Sequence, residues 1–367
     1  MGLGAGRKPF GSNIVTPNPA IKRTALGQHN LWRRCLMKRT ARLLTVLLSA
    51  LPWIACVEVV TAQQPARVYR VAYLSTASSN STSSKAGFEE FQKTLRDLGY
   101  IEGQNLMIDP RWADGSAERI PALAAELVAL KPDVIVATTT PGVTAVKTAT
   151  STIPIVMMIV SDPVGAGFVT SLARPGGNIT GVTDFGVDLA AKSVELVHAL
   201  VPSGTRIAVL MSDNPVHPMQ LKLIQDAATS LRLTVLPIMG RSLGELEKAF
   251  RLAETENATT VIVLGGPPHN ALREKIAELA IRSKLATISP QRPYVDVGGL
   301  VSYGPKSLPQ YRLVAGFVDQ ILKGRKPGDL PVQQPVELEL VINLKTAKAL
   351  GITIPQSLLL RATEVIQ

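Results

Sequence analysis

Residues Arg70-Val-Ala-Tyr-Leu74 and Arg206-Ile-Ala-Val-Leu210 state one pattern twice. Each is an apolar run headed by an arginine and followed by a polar loop and a segment of helical spacing. Each copy then reaches a second apolar run, Val134-Ile-Val-Ala137 in the first and Val261-Ile-Val-Leu264 in the second. Strands that are apolar on both faces and alternate with helices form parallel sheets covered on both sides. A duplicated α/β half therefore predicts two similar Rossmann-like lobes with parallel sheets and a cleft between them. Such sheets bind ligands beyond the carboxyl ends of their strands.

Outward from these runs the alternation continues. The spacing of Phe88, Phe91, Leu95 and Leu98 predicts a helix over Gly87–Leu98 that stops at Gly99. A strand over Asn105–Pro110, a helix over Ile120–Leu130, a helix from Thr138 through about Thr150 and a strand over Ile153–Val160 follow. The turn Arg174-Pro-Gly-Gly-Asn-Ile-Thr-Gly181 leads into a strand ending at Thr183-Asp184-Phe185, read as the first crossing between lobes. The second copy runs from the helix Ala190–Leu200 through helices at Met219–Leu231, Leu243–Glu254 and Asn270–Lys284, with strands at Thr234–Ile238 and Ala286–Ser289. Gly299–Gly304 returns the chain to the first lobe, which the helix Tyr311–Leu322 completes. A proline-rich connector, Pro327–Pro335, precedes a last strand and helix at Leu338–Ile342 and Leu344–Leu350. The expected division is 63–185 with about 304–328 for lobe 1, and about 186–303 with 329–367 for lobe 2, joined by a multi-crossing hinge.

The 367 residues carry a net charge of +11, but its distribution argues against a nucleic-acid partner. Residues 1–62 hold nine Lys or Arg against Glu58 alone, which is +8, and the remaining 305 carry only +3. Lys38, Arg39 and Arg42 form a positive start, Leu43–Ala50 an apolar middle, and Val60-Thr61-Ala62 a cleavage site. Residues 1–62 are thus expected to be a leader plus signal peptide, with the true start at Met37 and a periplasmic chain beginning near Gln63. Pro52 and Glu58 interrupt what a membrane anchor would need. A lipid anchor on Cys56 is the lesser alternative, because Trp53 fits poorly three residues before it. Cys35 and Cys56 are the only cysteines and both precede the cut, so no disulfide, thiol nucleophile or cysteine metal site is expected.

Candidate ligand contacts occupy the post-strand positions. The loop Ser75–Ser84 is dense in hydroxyls before a helix, and its residues nearest the strand, Ser75 and Thr76, are the better candidates. Thr139 or Thr140 sits in the shorter loop after the next strand, where three threonines exceed what a helix cap needs. Ser161 and Asp162 follow a strand, Asp162 reading equally as an ammonium partner or as a capping residue. Thr183 and Asp184 stand at the first crossing. Asp213, Asn214 and Gly265 take the matching places in the second copy, and Tyr303 is the aromatic chosen to stack on a flat substrate. No catalytic constellation is present: His198, His217 and His269 lie apart, and neither a nucleophile elbow nor a P-loop occurs. The chain is expected to be no enzyme and to need no cofactor or metal.

Four segments go beyond pattern: Ser161-Asp-Pro-Val-Gly-Ala-Gly167, Arg174-Pro-Gly-Gly-Asn-Ile-Thr-Gly181, Ser302-Tyr-Gly304 and Leu340-Val-Ile-Asn-Leu-Lys-Thr-Ala-Lys-Ala-Leu-Gly351. With them the chain resembles the ABC-transporter substrate-binding proteins of the tryptophan/aromatic-type branch, over roughly residues 68–365. The resemblance implies the type I periplasmic-binding-protein fold, a hinge of three strands, capture of a small solute between lobes, and delivery to an ABC permease in the inner membrane. The expected solute carries a carboxylate held by hydroxyls and helix N-termini, and as an amino acid would place its ammonium on Asp162, Asp184 or Asp213. A monomer is expected. A ligand-sensing module for a membrane receptor fits the same residues, and a cleft enzyme lacks the groups it would need.

Overall fold

The computed structural model of the protein describes residues 67–367. The leader, the signal peptide, the start at Met37 and both cysteines fall outside the described residues.

The chain opens with β1 (Tyr69–Ser75), α1 (Thr82–Asp97), β2 (Leu106–Trp112), α2 (Ile120–Ala129), β3 (Val134–Thr138), α3 (Thr139–Ala149), β4 (Ile155–Val160) and β5 (Ile179–Thr183). These strands form a five-stranded sheet in the order β2-β1-β3-β4-β5, and every pairing in it is parallel. There follow α4 (Gly186–Leu200), β6 (Arg206–Met211), α5 (His217–Ser230), β7 (Thr234–Met239), α6 (Leu243–Thr255) and β8 (Thr260–Val263). Next come α7 (Pro267–Ala271), α8 (Arg273–Arg282), β9 (Ala286–Ser289), α9 (Pro293–Asp296) and β10 (Val301–Pro305). After α10 (Ser307–Leu322) the chain ends with β11 (Leu338–Asn343), α11 (Leu344–Leu350), α12 (Gln356–Leu359) and β12 (Glu364–Ile366). The second sheet runs β12-β11-β10-β9-β8-β6-β7 and is parallel except where β10 meets β11.

Both lobes bury strands on two faces. In β1, Val71 and Tyr73 pack with Phe91, Leu95, Val314 and Phe317, so one face is covered by α1 and α10. Ala72 and Leu74 pack on the other face with Ile120, Leu127, Val143 and Val146 of α2 and α3. The second sheet repeats this: Ile207 and Val209 meet α4 and α5, while Ala208 and Leu210 meet α6 and α8. Each full burial of a Val, Leu or Phe contributes about 1.5–3 kcal/mol. Even the leading arginines act alike. Arg70 bonds Asp109 of β2 at 2.9 Å, and Arg206 reaches the carbonyl and carboxylate of Glu256.

The chain passes between the sheets three times, and the passages lie side by side. Val182 bridges Gln333, whose N–H donates to the Gly181 carbonyl at 2.9 Å, and Lys306 N–H donates to the Glu337 carbonyl at 3.0 Å. Two details differ from the reading of the sequence. Gly299–Gly304 does not leave the second lobe, because β10 is paired there through Pro305. The connector from 329 stays on the first sheet as far as Gln333, held also by the Thr180 hydroxyl on the Leu330 carbonyl at 2.7 Å.

Candidate functional site

A cavity of about 140 Å³ lies between the lobes, at the carboxyl ends of both sheets. Four helices begin at it earlier than apolar spacing predicts: α1 at Thr82, α4 at Gly186, α5 at His217 and α10 at Ser307. A first helical turn has unpaired N–H groups and needs no apolar side chain, so these turns can offer polar residues to the cleft.

Of the residues singled out from sequence, Thr139, Thr140, Ser161, Asp184, Asn214 and Gly265 line this cavity together. Ser75 and Thr76 are buried behind the wall instead. The Ser75 hydroxyl accepts from Ala77 N–H at 3.2 Å, and Thr76 bonds the hydroxyls of Thr138 and Thr139 at 3.1 Å each. Asp162 is turned away onto the Gly165 N–H at 2.8 Å, which is the capping role. Thr183 is buried without lining the cavity. Asp213 is exposed and paired with Arg241 at 3.3 Å, and Tyr303 packs against the second lobe's core. The far part of the Ser75–Ser84 loop does reach the cavity, through Ser78, Ser81, Ser83 and Ser84, and polar residues that sequence reasoning missed face it too, among them Gln220, Asn270, Arg273, Tyr294 and Gln310. Gln220 and Gln310 had a readable signal: each stands one turn inside a helix whose neighbouring positions are apolar.

One end of the cavity collects acceptors. A Cβ on Gly186 would lie 2.4 Å from Ser161 Oγ, 2.9 Å from Gln220 Nε2 and 3.0 Å from Asp184 Oδ1, so only glycine lets these three side chains meet. Asp184 Oδ1 accepts from Gly186 N–H at 2.9 Å, and Gln220 Nε2 donates to the Gly186 carbonyl at 2.9 Å. Gln220 Oε1 is buried and has no partner. Burial pushes the Asp184 carboxyl above the usual carboxylate range, against the opposing hydrogen bonds from Gly186 and Ser161. No ion pair among the described residues involves Asp184. The cluster is thus a ready acceptor for a cation, built from the first lobe (Ser161), the second (Gln220) and the crossing between them (Asp184).

The walls are strained in one place. Thr139 and Ile159, both β-branched, have φ of +64° and +58°, a conformation costing on the order of 1–3 kcal/mol each. Ile159 lies in a register shift between β4 and β5 that turns Met158 and Ile159 to the cavity. Behind the opposite wall His217 and His269, which the sequence reading placed apart, stack with their ring centroids 6.0 Å from each other. His217 Nδ1 accepts from Ser212 N–H at 2.9 Å, and Nε2 faces the Gly265 carbonyl at 2.9 Å, fixing the glycine loop. Burial holds His217 down to about 4, so it stays neutral near pH 7 and serves structure.

The lobes are closed on one another. Arg273 Nη2 donates to Ser81 Oγ across the cleft at 3.2 Å. A Cβ on Gly115 of the first lobe would lie 2.4 Å from Ala271 Cβ of the second. Beyond that contact a wider mouth of about 930 Å³ opens between α3 and the loops carrying Asp213 and Arg241. An Ala271→Phe wedge at this closing contact is expected to weaken ligand affinity at least about 10-fold, equivalent to 1.4 kcal/mol against the closed state. Calorimetry should show that loss with the ligand-free melting temperature unchanged, since Ala271 is exposed. Wild-type affinity in the variant would refute the closing role.

Among the described residues no helix is long and apolar enough to cross a membrane, and no group of three or more His, Cys, Asp or Glu could hold a metal ion. Comparison with known proteins agrees with the geometry. A curated relative, the tyrosine-binding protein of Clostridioides difficile (strain R20291), is 31% identical over 265 residues, covering 71% of this chain and 75% of its own. A conserved domain protein of Vibrio cholerae superposes with a TM-score of 0.76 at 29% identity, covering 82% of this chain and 100% of that one. The ABC domain from Streptococcus pneumonia in complex with L-Trp gives 0.75 at 29% identity with the same coverage. The two-lobed α/β architecture is therefore the type I periplasmic-binding fold that the motifs implied. The family model for ABC transporter substrate binding proteins matches residues 76–366, nearly all that the structure describes, and the chain belongs to that family.

Proposed function

We propose that this chain captures an aromatic α-amino acid as its zwitterion between the two lobes, in the periplasm, and delivers it as a monomer to an ABC permease of the inner membrane. One observation carries the reading: Asp184, desolvated and without a cation, stands beside the unpartnered Gln220 Oε1. An ammonium offers the three donors that Asp184, Gln220 and Ser161 accept. Because these residues come from both lobes and the crossing, a bound ammonium ties the closed state together and so shifts the hinge equilibrium toward it. The carboxylate has its natural place at the start of α3, where Thr139 and Thr140 line the cavity at an eleven-residue helix's positive end. The buried rings of Tyr294 and Tyr311 supply flat walls. The names of the relatives, one binding tyrosine and one solved with L-Trp, support the same solute class.

A thermal-shift series tests this. An aromatic amino acid at 100 times its Kd should add about 2.7 kcal/mol, a rise of about 5 °C for a chain of this size. The N-acetyl derivative, which lacks the ammonium, should give none. Equal shifts from the two compounds would refute the ammonium site.

A further inference from the structure

The far end of the cavity holds a second polar cluster that zwitterion capture does not use. Arg273 Nη1 donates to the Asn270 carbonyl at 2.7 Å, and its Nη2 reaches Ser81. Asn270 Oδ1 is buried without a partner, and so is the hydroxyl of Tyr294, a residue only 3% exposed. Tyr294 stands in the field of Arg273: burial pushes its phenol up and the Arg273 cation opposes that. Two buried groups that lack partners and face one cavity indicate a bound polar group that supplies them.

The two clusters draw on different parts of the fold: Ser81 follows β1 and Arg273 follows β8, whereas Asp184 follows β5. An α-amino acid whose side chain ends in a polar group can engage both. The donor set then chooses among terminal groups. Arg273 only donates and Asn270 Oδ1 only accepts, so a hydroxyl, which does both, satisfies the pair. A carboxylate would set lone pairs against Asn270 Oδ1, and a bare ring would leave every group unpaired.

We infer that Arg273, Asn270 and Tyr294 form a specificity site for a phenolic hydroxyl at the end of the ligand's side chain. This rests on the amino-acid reading above and deepens it. Calorimetric titration of the purified protein with L-tyrosine, L-phenylalanine and para-carboxy-L-phenylalanine tests it. L-tyrosine should bind at least about 30-fold tighter than the other two, since a site built for a hydroxyl rejects the analogue lacking it. Arg273→Gln should cut tyrosine affinity at least about 10-fold and leave phenylalanine within about 3-fold. Tyr294→Phe, which removes one oxygen and keeps the ring, should narrow the same ratio without changing the fold. Phenylalanine binding as tightly as tyrosine, tightest binding of the carboxylate analogue, or equal losses for both amino acids in Arg273→Gln would each overturn the inference while leaving ammonium capture intact. Absence of binding by all three to the wild-type protein would overturn both readings together.

Discussion

Asp184→Asn is expected to abolish amino-acid capture and, at the same time, to raise the melting temperature of the ligand-free protein. Burial raises the Asp184 pKa above its unfolded value. For a group shifted in that direction, the stability it contributes is fully present below the unfolded pKa and is lost as pH rises through the folded pKa. Above that folded pKa the native protein carries an ionised carboxylate at a cost, and the amide removes that cost while keeping the shape and the bond from Gly186. Binding moves the other way. Removing one charge of a buried, hydrogen-bonded pair typically loses about 2–5 kcal/mol, or about 30- to 5,000-fold in affinity. The wild-type protein should also lose affinity on acidification earlier than an ordinary carboxylate would dictate, because its ligand requires Asp184 ionised. Melting curves and calorimetry on the variant decide the matter. Unchanged affinity would remove Asp184 from the site.

Gly181→Ala is expected to destroy the first lobe. Gly181 pairs with Met157 in the β4–β5 ladder at φ +136°, a conformation that L side chains rarely adopt. A Cβ there would lie 2.1 Å from the Met157 carbonyl oxygen and 2.6 Å from its nitrogen, both main-chain atoms that cannot step aside. The Gly181 carbonyl also receives the Gln333 N–H, so a displaced β5 takes the third crossing with it. Strain and overpacking together come to about 4 kcal/mol, a large fraction of a domain's stability. Urea titration should show the loss or the chain should fail to accumulate folded. A variant within 1 kcal/mol of the wild type in that titration would contradict this account.

The layered architecture was legible because buried parallel strands have no polar face to confuse the pattern. Apolar runs at 70–74, 134–137, 206–210 and 261–264 all became central strands. The site was less legible, and for one recurring reason. Helix starts were read from apolar spacing, while the helices that open on the cleft begin with turns of Ser, Gln and His that apolar spacing ignores. Gln220 and Gln310 were hidden this way. Arg273 was hidden differently: a single helix was expected over 270–284, but the chain breaks at Leu272 between α7 and α8, and the break sets Arg273 toward the cleft. Asp162 and Asp184 show the limit of local reading. Each follows a hydroxyl residue at a strand end, and each caps a nearby N–H, of Gly165 and Gly186. Only the placement of Gln220 and Ser161 around Gly186 separates the residue in the cavity from the one outside it. The short strand β12 escaped because three residues beside β11 make no period.

The interleaving of the lobes also bears on how the chain is made. One face of the first sheet is finished by α10, with Val314, Phe317 and Val318 against Tyr73 and Phe91, and its last edge is bridged by Gln333. A nascent chain carrying β1 to β5 covers that face with α1 alone, and it stays half covered while the whole central portion of the second lobe emerges. The second sheet in turn waits for β11 to cover the antiparallel side of β10. The first lobe can therefore be completed only after α10 and Gln333 have been made, although its sheet is the first to be synthesised.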